Sequence, residues 1–214
     1  MPRKDIRDLV STLKIPNLIH FTRAVNLPSI MEHGLYPRSR IAEVGAEPMV
    51  NDQLRLDGHL DATSVSIAFP NNSMFYRYRK DPDNAGIDWV VLALDPAILS
   101  EKDCAFCMHN AADGRISCED LNTLRKVEAL AGMFEEIDGV IPRAEQKLRA
   151  YDPTDVQAEV LVFDVIEPRY IYSAAFETKA VQDRHSASLG DRSIIAAGRN
   201  KGYFGSRGYS RKYK

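Results

Sequence analysis

What this sequence lacks narrows the classes of protein it can encode. No hydrophobic run approaches the roughly 20 residues that cross a bilayer. The N-terminal stretch MPRKDIRDLV lacks the long apolar region of a secretory signal. Three cysteines are an odd number, which suits a reducing compartment better than a disulfide framework. We therefore expect a cytoplasmic protein that does not associate with membranes.

Two further absences concern ligands. The sequence contains neither G-x-G-x-x-G nor G-x-x-x-x-G-K-[ST], which disfavours the Rossmann and P-loop modes of nucleotide binding. Its 28 basic and 30 acidic residues give a net charge of -2, so a nucleic acid would have to bind a local basic patch. The 214 residues, 44% of them hydrophobic, are enough for one domain with a core, and we expect one domain over residues 1–214.

Hydrophobic periodicity and turn residues predict a mixture of helices and strands. Helices are predicted over residues 3–14, 26–35, 72–80, 127–136 and 177–183, and strands over residues 17–22, 63–70, 88–95, 157–165 and 169–176. Asn26 is predicted to cap the start of its helix and Gly34 the end. The long segments 36–63 and 137–156 predict functional loops. Because the elements do not alternate strictly as βαβ, the fold class is predicted to be α+β.

A polar pair stands at the head of the predicted strand QAEVLVFDV. Residues two apart in a strand share a face, so Gln157 and Glu159 point one way and Ala158 and Val160 the other. A carboxylate there can hold a ribose hydroxyl and stabilise an oxocarbenium-like transition state, and the amide can orient a nucleophile. For an arbitrary Q-x-E, however, a solvated residue at the start of a strand is the more frequent explanation.

The stretch IHFT places a histidine inside an apolar strand. His20 lies between Ile19 and Phe21, where an imidazole needs hydrogen-bond partners. It can be a satisfied core histidine. Alternatively, His20 and Thr22, followed by a helix start at Asn26, can grip a dinucleotide through the ring, the hydroxyl and free backbone amides.

Three stretches in order, IHFTRAVNLPSIMEHGL, VNDQLRLDGHLDATSVSIAFPNNSMFYRYR and PTDVQAEVLV, resemble the DarT toxins. The resemblance covers residues 17–171. It implies an ADP-ribosyltransferase-like fold, α+β, with central split mixed or antiparallel sheets and flanking helices. It further implies transfer of ADP-ribose from NAD onto a base of single-stranded DNA, with release of nicotinamide and without a metal. The implied partners are that DNA and a macrodomain antitoxin of the DarG type.

The resemblance also implies roles for individual residues. Glu159 matches the catalytic glutamate, and Arg55 matches the arginine of the NAD-covering loop, where it would orient the cofactor and assist catalysis. The loop that contains Arg143 and ends at Gln157 matches the loop that selects the acceptor. The segment SIAFPNNSMFYRYR is more similar to the guanine-modifying branch than to the thymine-modifying one. The residues that match the NAD-binding motifs are His20, Phe21, Thr22, Asn26, Ser29 and Arg55.

Two segments combine basic and aromatic residues, as single-stranded nucleic-acid sites do. In MFYRYRK, we expect Tyr76, Arg77 and Arg79 to contact the DNA; a helix with a solvated basic face fits equally well. The tail over residues 199–214 has six basic residues, four aromatics and no acid, and either binds DNA or is a disordered end.

The stretch CAFCMHN is a weak zinc motif. Cys104, Cys107 and His109, with Cys118 downstream, could complete a tetrahedral site, but the spacing is irregular, and buried free thiols are the better interpretation. Two functions besides DNA modification stay open: ADP-ribosyl transfer to protein or RNA, and noncatalytic binding of single strands.

Overall fold

The computed structural model describes residues 3–45, 49 and 57–213. Within these residues seven strands form one sheet in the order β4-β5-β2-β1-β3-β6-β7. The strands are β1 Leu18–Arg23, β2 Thr63–Ile67, β3 Trp89–Leu94, β4 Cys104–Cys107, β5 Glu159–Val162, β6 Ile171–Phe176 and β7 Ser193–Ala196. Neighbouring strands are antiparallel except β6 and β7, which are parallel. The mixed sheet with flanking helices confirms the predicted α+β class.

Short helices surround the sheet. They are α1 Lys4–Leu13, α2 Leu27–His33, α3 Asn72–Lys80, α4 Ile98–Glu101, α5 Gly114–Ser117, α6 Leu121–Leu124, α7 Val127–Gly132, α8 Arg143–Gln146, α9 Lys179–His185 and α10 Arg207–Tyr213. Of the helices within the described ranges, none has both the length and the apolar character needed to cross a membrane.

The sheet opens between β1 and β2. These strands pair only through Leu18 and Ile19, although β1 continues to pair with β3 as far as Arg23. The other end of β2 pairs with β5 instead, from Thr63 to Val65. The divergence leaves a gap beside His20, and the first residue of β5 lies across it.

The two faces of β5 pack against different hydrophobic clusters. Ala158, Val160 and Val162 are buried in the main core, whereas Leu161 packs with Ala105 in a smaller cluster on the opposite face. The predicted alternation is therefore confirmed from Ala158 to Val162, but the strand is shorter than the predicted 157–165 and Gln157 lies in the turn before it. The apolar side chains on both faces fix the register of β5, because a slip of one residue would exchange the faces.

Several element predictions need correction. Asn26 does not cap α2 through its side chain; it ends a 3₁₀ turn, Ala24–Asn26, that precedes the helix. Gly34 does follow the last turn of α2, as predicted. The strand predicted over residues 63–70 ends at Ile67, because Ala68 adopts a left-handed backbone with φ 60°.

Two strands were missed, β4 and β7. Each has only four residues. β4 is completely buried and is held by its pairing with β5, and β7 lies at the edge of the sheet with most of its side chains exposed. Both owe their strand conformation to partners distant in sequence, which local pattern does not encode.

The C-terminal tail is folded. A 3₁₀ turn, Gly202–Phe204, buries Phe204, and α10 follows. The alternative of a disordered end is therefore wrong for the described part of this segment.

Candidate active site

A cavity of about 770 Å³ lies at the split in the sheet. Its walls come from β1, α2, the 3₁₀ segment Arg38–Val44, β2, α3, the segment after β4 and the segment before β5. Eight of the residues predicted from the sequence line it: His20, Phe21, Thr22, Asn26, Ser29, Arg77, Gln157 and Glu159. Arg55, the remaining residue predicted to bind NAD, lies outside the described residues.

Glu159 is buried and held by donors on both carboxylate oxygens. The Ser64 hydroxyl donates to Oε2, and the Ala111 backbone N–H donates to Oε1 at 2.6 Å. Only 8% of the residue is exposed, so the interpretation of a solvated strand-start residue is wrong. Charge-assisted hydrogen bonds of this kind fix the orientation of a carboxylate, which here faces the cavity.

His20 spans the gap where the β1–β2 ladder ends. Its ring atom Nδ1 lies 3.0 Å from the backbone carbonyl oxygen of Ser64. Since a carbonyl only accepts, Nδ1 carries the proton, which fixes the tautomer of the neutral ring. The backbone of Ser64 thus contacts His20, and its side chain contacts Glu159. His20 is only half-buried and lines the cavity, so it is not a core histidine.

Asn26 connects the helix side of the cavity to Met49. Its Nδ2 donates to Thr22 Oγ1 at 3.0 Å and to the Met49 carbonyl at 3.1 Å, and its Oδ1 accepts from the Met49 N–H at 3.0 Å. The side-chain amide therefore both donates a hydrogen bond to the Met49 backbone and accepts one from it, as a residue of a neighbouring strand would. Thr22 and Asn26 are both buried, so the contact between them is shielded from water. We call residues 19–34 the strand–helix wall.

A second wall is built from two loops, residues 109–113 and 153–159, which we call the two-loop wall. His109 Nδ1 lies 2.6 Å from Asp155 Oδ2, and Asp155 Oδ1 accepts from the Gln157 N–H at 2.8 Å. A second connection is the bond from Ala111 to Glu159. The two loops are thus joined at both ends of the segment that leads into β5.

Burial explains the state of the cysteines. Burial, reinforced by the nearby Glu159, raises the pKa of Cys107 to about 12, and burial raises the pKa of Cys104 further. Cys104 and Cys107 are buried free thiols in the core, as predicted, whereas Cys118 is exposed. His109 pairs with Asp155 rather than with sulfur. Over the described ranges no three His, Cys, Asp or Glu side chains cluster as a metal site would require.

Three predicted DNA contacts are not brought to the cavity. Tyr76 is 54% exposed and lies outside the lining, whereas its neighbour Arg77 lines it. Arg79 donates to Glu177 at 2.9 Å and to the Phe204 carbonyl at 2.6 Å. Arg143 donates to backbone and side-chain oxygens between residues 149 and 154. Arg79 and Arg143 therefore serve internal contacts in this structure.

Sequence reasoning missed four residues of the site: Ser64, His109, Ala111 and Asp155. Ser64 stands in a strand that was predicted, but its contact with Glu159 joins residues 95 apart. His109 was considered only as a metal ligand. Ala111 contributes through its backbone, so no side-chain pattern could have indicated it.

Comparison with known proteins places these observations in a family. The model of the family described as "DarT: ssDNA thymidine ADP-ribosyltransferase" matches residues 19–199. No curated protein matches.

Among solved structures, Thermus sp. 2.9 DarT in complex with ADP-ribosylated ssDNA has a TM-score of 0.58 and 15% identity, covering 86% of this chain and 94% of that one. The same protein in complex with carba-NAD+ has a TM-score of 0.56 and 14% identity, covering 86% and 95%. Thermosipho africanus DarTG in complex with ADP-ribose has a TM-score of 0.56 and 18% identity over 84% of this chain, which spans about half (49%) of that protein. At these identities the structures establish the fold, and the family match over residues 19–199 shows that the chain belongs to the DarT family.

Proposed function

We propose that this protein transfers ADP-ribose from NAD to a base of single-stranded DNA and releases nicotinamide. The observation that carries the proposal is Glu159, a buried carboxylate held by donors from two other segments and facing a cavity large enough for a dinucleotide. The family is described by that activity, and the Thermus structures named above contain carba-NAD+ or ADP-ribosylated ssDNA.

NAD is assigned to the strand–helix wall. Imidazole, hydroxyl and backbone groups from His20, Thr22 and Ser29 face the cavity there, and Asn26 orders the start of the helix. Phe21, which stacks on Phe75 at 4.5 Å, gives the same wall an apolar surface for a ring. We assign Arg55 to the NAD phosphates and the cofactor's orientation on the resemblance alone.

The transfer step breaks the bond between the anomeric carbon and the nicotinamide nitrogen. Glu159 accepts a hydrogen bond from a hydroxyl of the nicotinamide ribose and stabilises the positive charge that develops on that sugar. A nitrogen of the base then bonds to the anomeric carbon and loses its proton. Gln157, in the turn just before β5, orients the base, and the segment before it selects the base.

We further propose guanine as the acceptor. Asp113, Asp155 and Gln157 give the two-loop wall several hydrogen-bond acceptors. The Watson–Crick edge of guanine offers donors at two nitrogens, whereas that of thymine offers one, and enzymes read an unstacked base through this edge. The resemblance of residues 66–79 to the guanine-modifying branch supports the same choice, although the family description names thymidine.

The biological role we propose is that of a toxin countered by a macrodomain antitoxin. The resemblance to DarT toxins and the fold shared with Thermosipho africanus DarTG support it. The described strands form one sheet, which supports a single catalytic domain over the chain.

Labelled NAD tests the proposal when it is incubated with the protein and separate pools of single-stranded DNA, RNA and protein. Label on DNA alone is expected, and it should be lost with oligonucleotides that lack guanine but not with those that lack thymine. Label on RNA or protein would instead establish the second candidate function. Strand binding without any label would make the protein a noncatalytic binder.

A further inference from the structure

The C-terminal helix α10 is joined to the loop of residues 147–158 by a buried ion pair. Arg211 Nε and Nη2 donate to the two carboxylate oxygens of Asp152, each at 2.6 Å. The Asp152 side chain is 0% exposed and that of Arg211 is 10% exposed. The two-pronged bond raises the pKa of Arg211. A paired, desolvated guanidinium of this kind fixes geometry as well as charge.

Arg207, one turn earlier in α10, binds the backbone of the same loop. It is 4% exposed and donates to the Pro153 carbonyl at 2.7 Å and the Thr154 carbonyl at 3.1 Å. Burial lowers its pKa to about 10, so it remains charged at neutral pH. A cation at this depth is stable only while those carbonyls stay in place, which couples helix and loop.

Arg143 completes the arrangement from the other side. It donates to the Asp152 carbonyl at 2.7 Å and to Thr154 Oγ1 at 2.8 Å. Guanidinium groups therefore bind the carbonyls of three consecutive residues, 152 to 154. The next residue, Asp155, lines the cavity.

These contacts show that two basic residues of the tail, Arg207 and Arg211, have a structural role instead of binding phosphate. Arg207 is buried, the Arg211 side chain is only 10% exposed, and both guanidinium groups are bound inside the fold, so neither is available to a DNA backbone. Their guanidinium bonds run to residues 146–154 on the acceptor side of the cavity. The strand–helix wall is ordered independently of them, by contacts such as that between Asn26 and Thr22.

We propose that α10 positions the acceptor base, with Arg211 as a positioning residue that acts through Asp152 on loop 147–158. The proposal rests on the proposed function, because it assigns the acceptor to the end of that loop. A reacting base must be held within about 0.5 Å of its productive position, which a long loop achieves only when it is fixed by neighbouring elements. Loosening α10 should therefore impair the use of DNA more than the use of NAD.

Steady-state kinetics of the full chain test this inference, with a single-stranded guanine-containing oligonucleotide and NAD varied in turn. For Arg211→Ala we expect kcat/KM for the oligonucleotide to fall by about 10- to 100-fold, while KM for NAD changes less than about twofold. Arg184→Ala is the matched control. Arg184 makes a similar two-pronged bond with Asp88, at 2.8 and 3.0 Å, and should leave both constants within about twofold of wild type.

A double-mutant cycle with Asp152→Ala separates positioning from general loss of structure. If the two residues act as a pair, the double variant should be no worse than the worse single variant. If Arg211→Ala does not fold, Arg211→Lys replaces it in the experiment. Lysine keeps the charge but cannot make the two-pronged bond, so we expect kcat/KM for the oligonucleotide to fall by about three- to tenfold.

Unchanged kinetics in the folded variant, or an equal loss for both substrates, would overturn the inference. Failure of the proposed function looks different: the wild-type protein itself would then leave the oligonucleotide unmodified, and both proposals would fall.

Discussion

The two walls of the cavity are built in different ways. The strand–helix wall is one continuous segment, and a typical contact within it joins Thr22 to Asn26, four residues apart. The two-loop wall depends on contacts between residues 46 and 48 apart, His109 with Asp155 and Ala111 with Glu159, and the residue that precedes its second loop, Asp152, is held by Arg211, 59 residues away. The first construction suits the site that we propose for NAD. The second suits the site that we propose for the acceptor base, because loops can change without disturbing the sheet.

The largest effect is expected at Glu159, the residue of the two-loop wall that begins β5. Glu159→Gln keeps the shape but removes the charge that stabilises the developing cation, so transfer should fall by at least about 1000-fold. Adduct formation on an oligonucleotide, followed by mass spectrometry, measures it. The melting temperature should change little, and a variant that retained more than a tenth of the wild-type rate would show that the reaction does not depend on this carboxylate.

Gly34 should be indispensable to the strand–helix wall for a steric reason. Its φ is 100°, and a Cβ added there would lie 2.4 Å from the backbone oxygen of Ile166. Gly34→Ala should lower the free energy of unfolding by about 2–4 kcal/mol, because both the backbone conformation and the contact must change. Urea denaturation measures this difference.

Gly114→Ala is the control for that substitution. A Cβ at Gly114 meets no atom within 4 Å, and its backbone needs no positive φ. Equal urea midpoints for the two alanine variants would contradict the steric account of Gly34.

Asn26→Ala should raise KM for NAD more than KM for the oligonucleotide. The variant loses the amide that joins Thr22 to Met49, so KM for NAD should rise by about tenfold, equivalent to about 1.4 kcal/mol. KM for the oligonucleotide should stay within about twofold. Asn122→Ala, an exposed asparagine on α6, is the control, and a larger change in the oligonucleotide constant than in the NAD constant would reverse our assignment of the walls.

The smallest effect is expected from the exposed aromatics of α10. Tyr209 and Tyr213 are 60% and 72% exposed and have ring centroids 4.9 Å apart. If they stack on bases that flank the target, replacing both by alanine should weaken oligonucleotide binding by about fivefold, near 1 kcal/mol. Fluorescence anisotropy measures the affinity. Tyr172→Ala, on β6, is the control, and equal affinities for all three proteins would remove α10 from the DNA path.

The sequence predicted the strand–helix wall well for a physical reason. A strand, a turn and a helix start are encoded by neighbouring residues, so the positions of His20, Thr22 and Gly34 followed from local pattern. The prediction that Asn26 caps α2 was wrong because a capping rule considers only neighbouring residues. The Asn26 amide instead binds the backbone of Met49, 23 residues away.

The two-loop wall could be predicted only in outline. The predicted alternation of residues 157–165 placed Glu159 and Gln157 on one face, although Gln157 lies in the turn before β5. The donors to Glu159 come from β2 and from the loop after β4, and no spacing in the sequence brings these segments together. The tail posed the same difficulty, because two of the basic residues that predicted a DNA-binding patch, Arg207 and Arg211, bind inside the fold.

The most direct test of the separate roles of the two walls measures two products of one reaction, the nicotinamide released and the oligonucleotide modified. Asn26→Ala should lower both in proportion, because NAD binds less well but each bound molecule still meets a positioned base. Arg211→Ala should lower the ratio of adduct to nicotinamide by about tenfold or more, because water competes for a sugar whose acceptor is misplaced. A ratio that is the same in wild type and both variants would contradict the separate roles of the two walls.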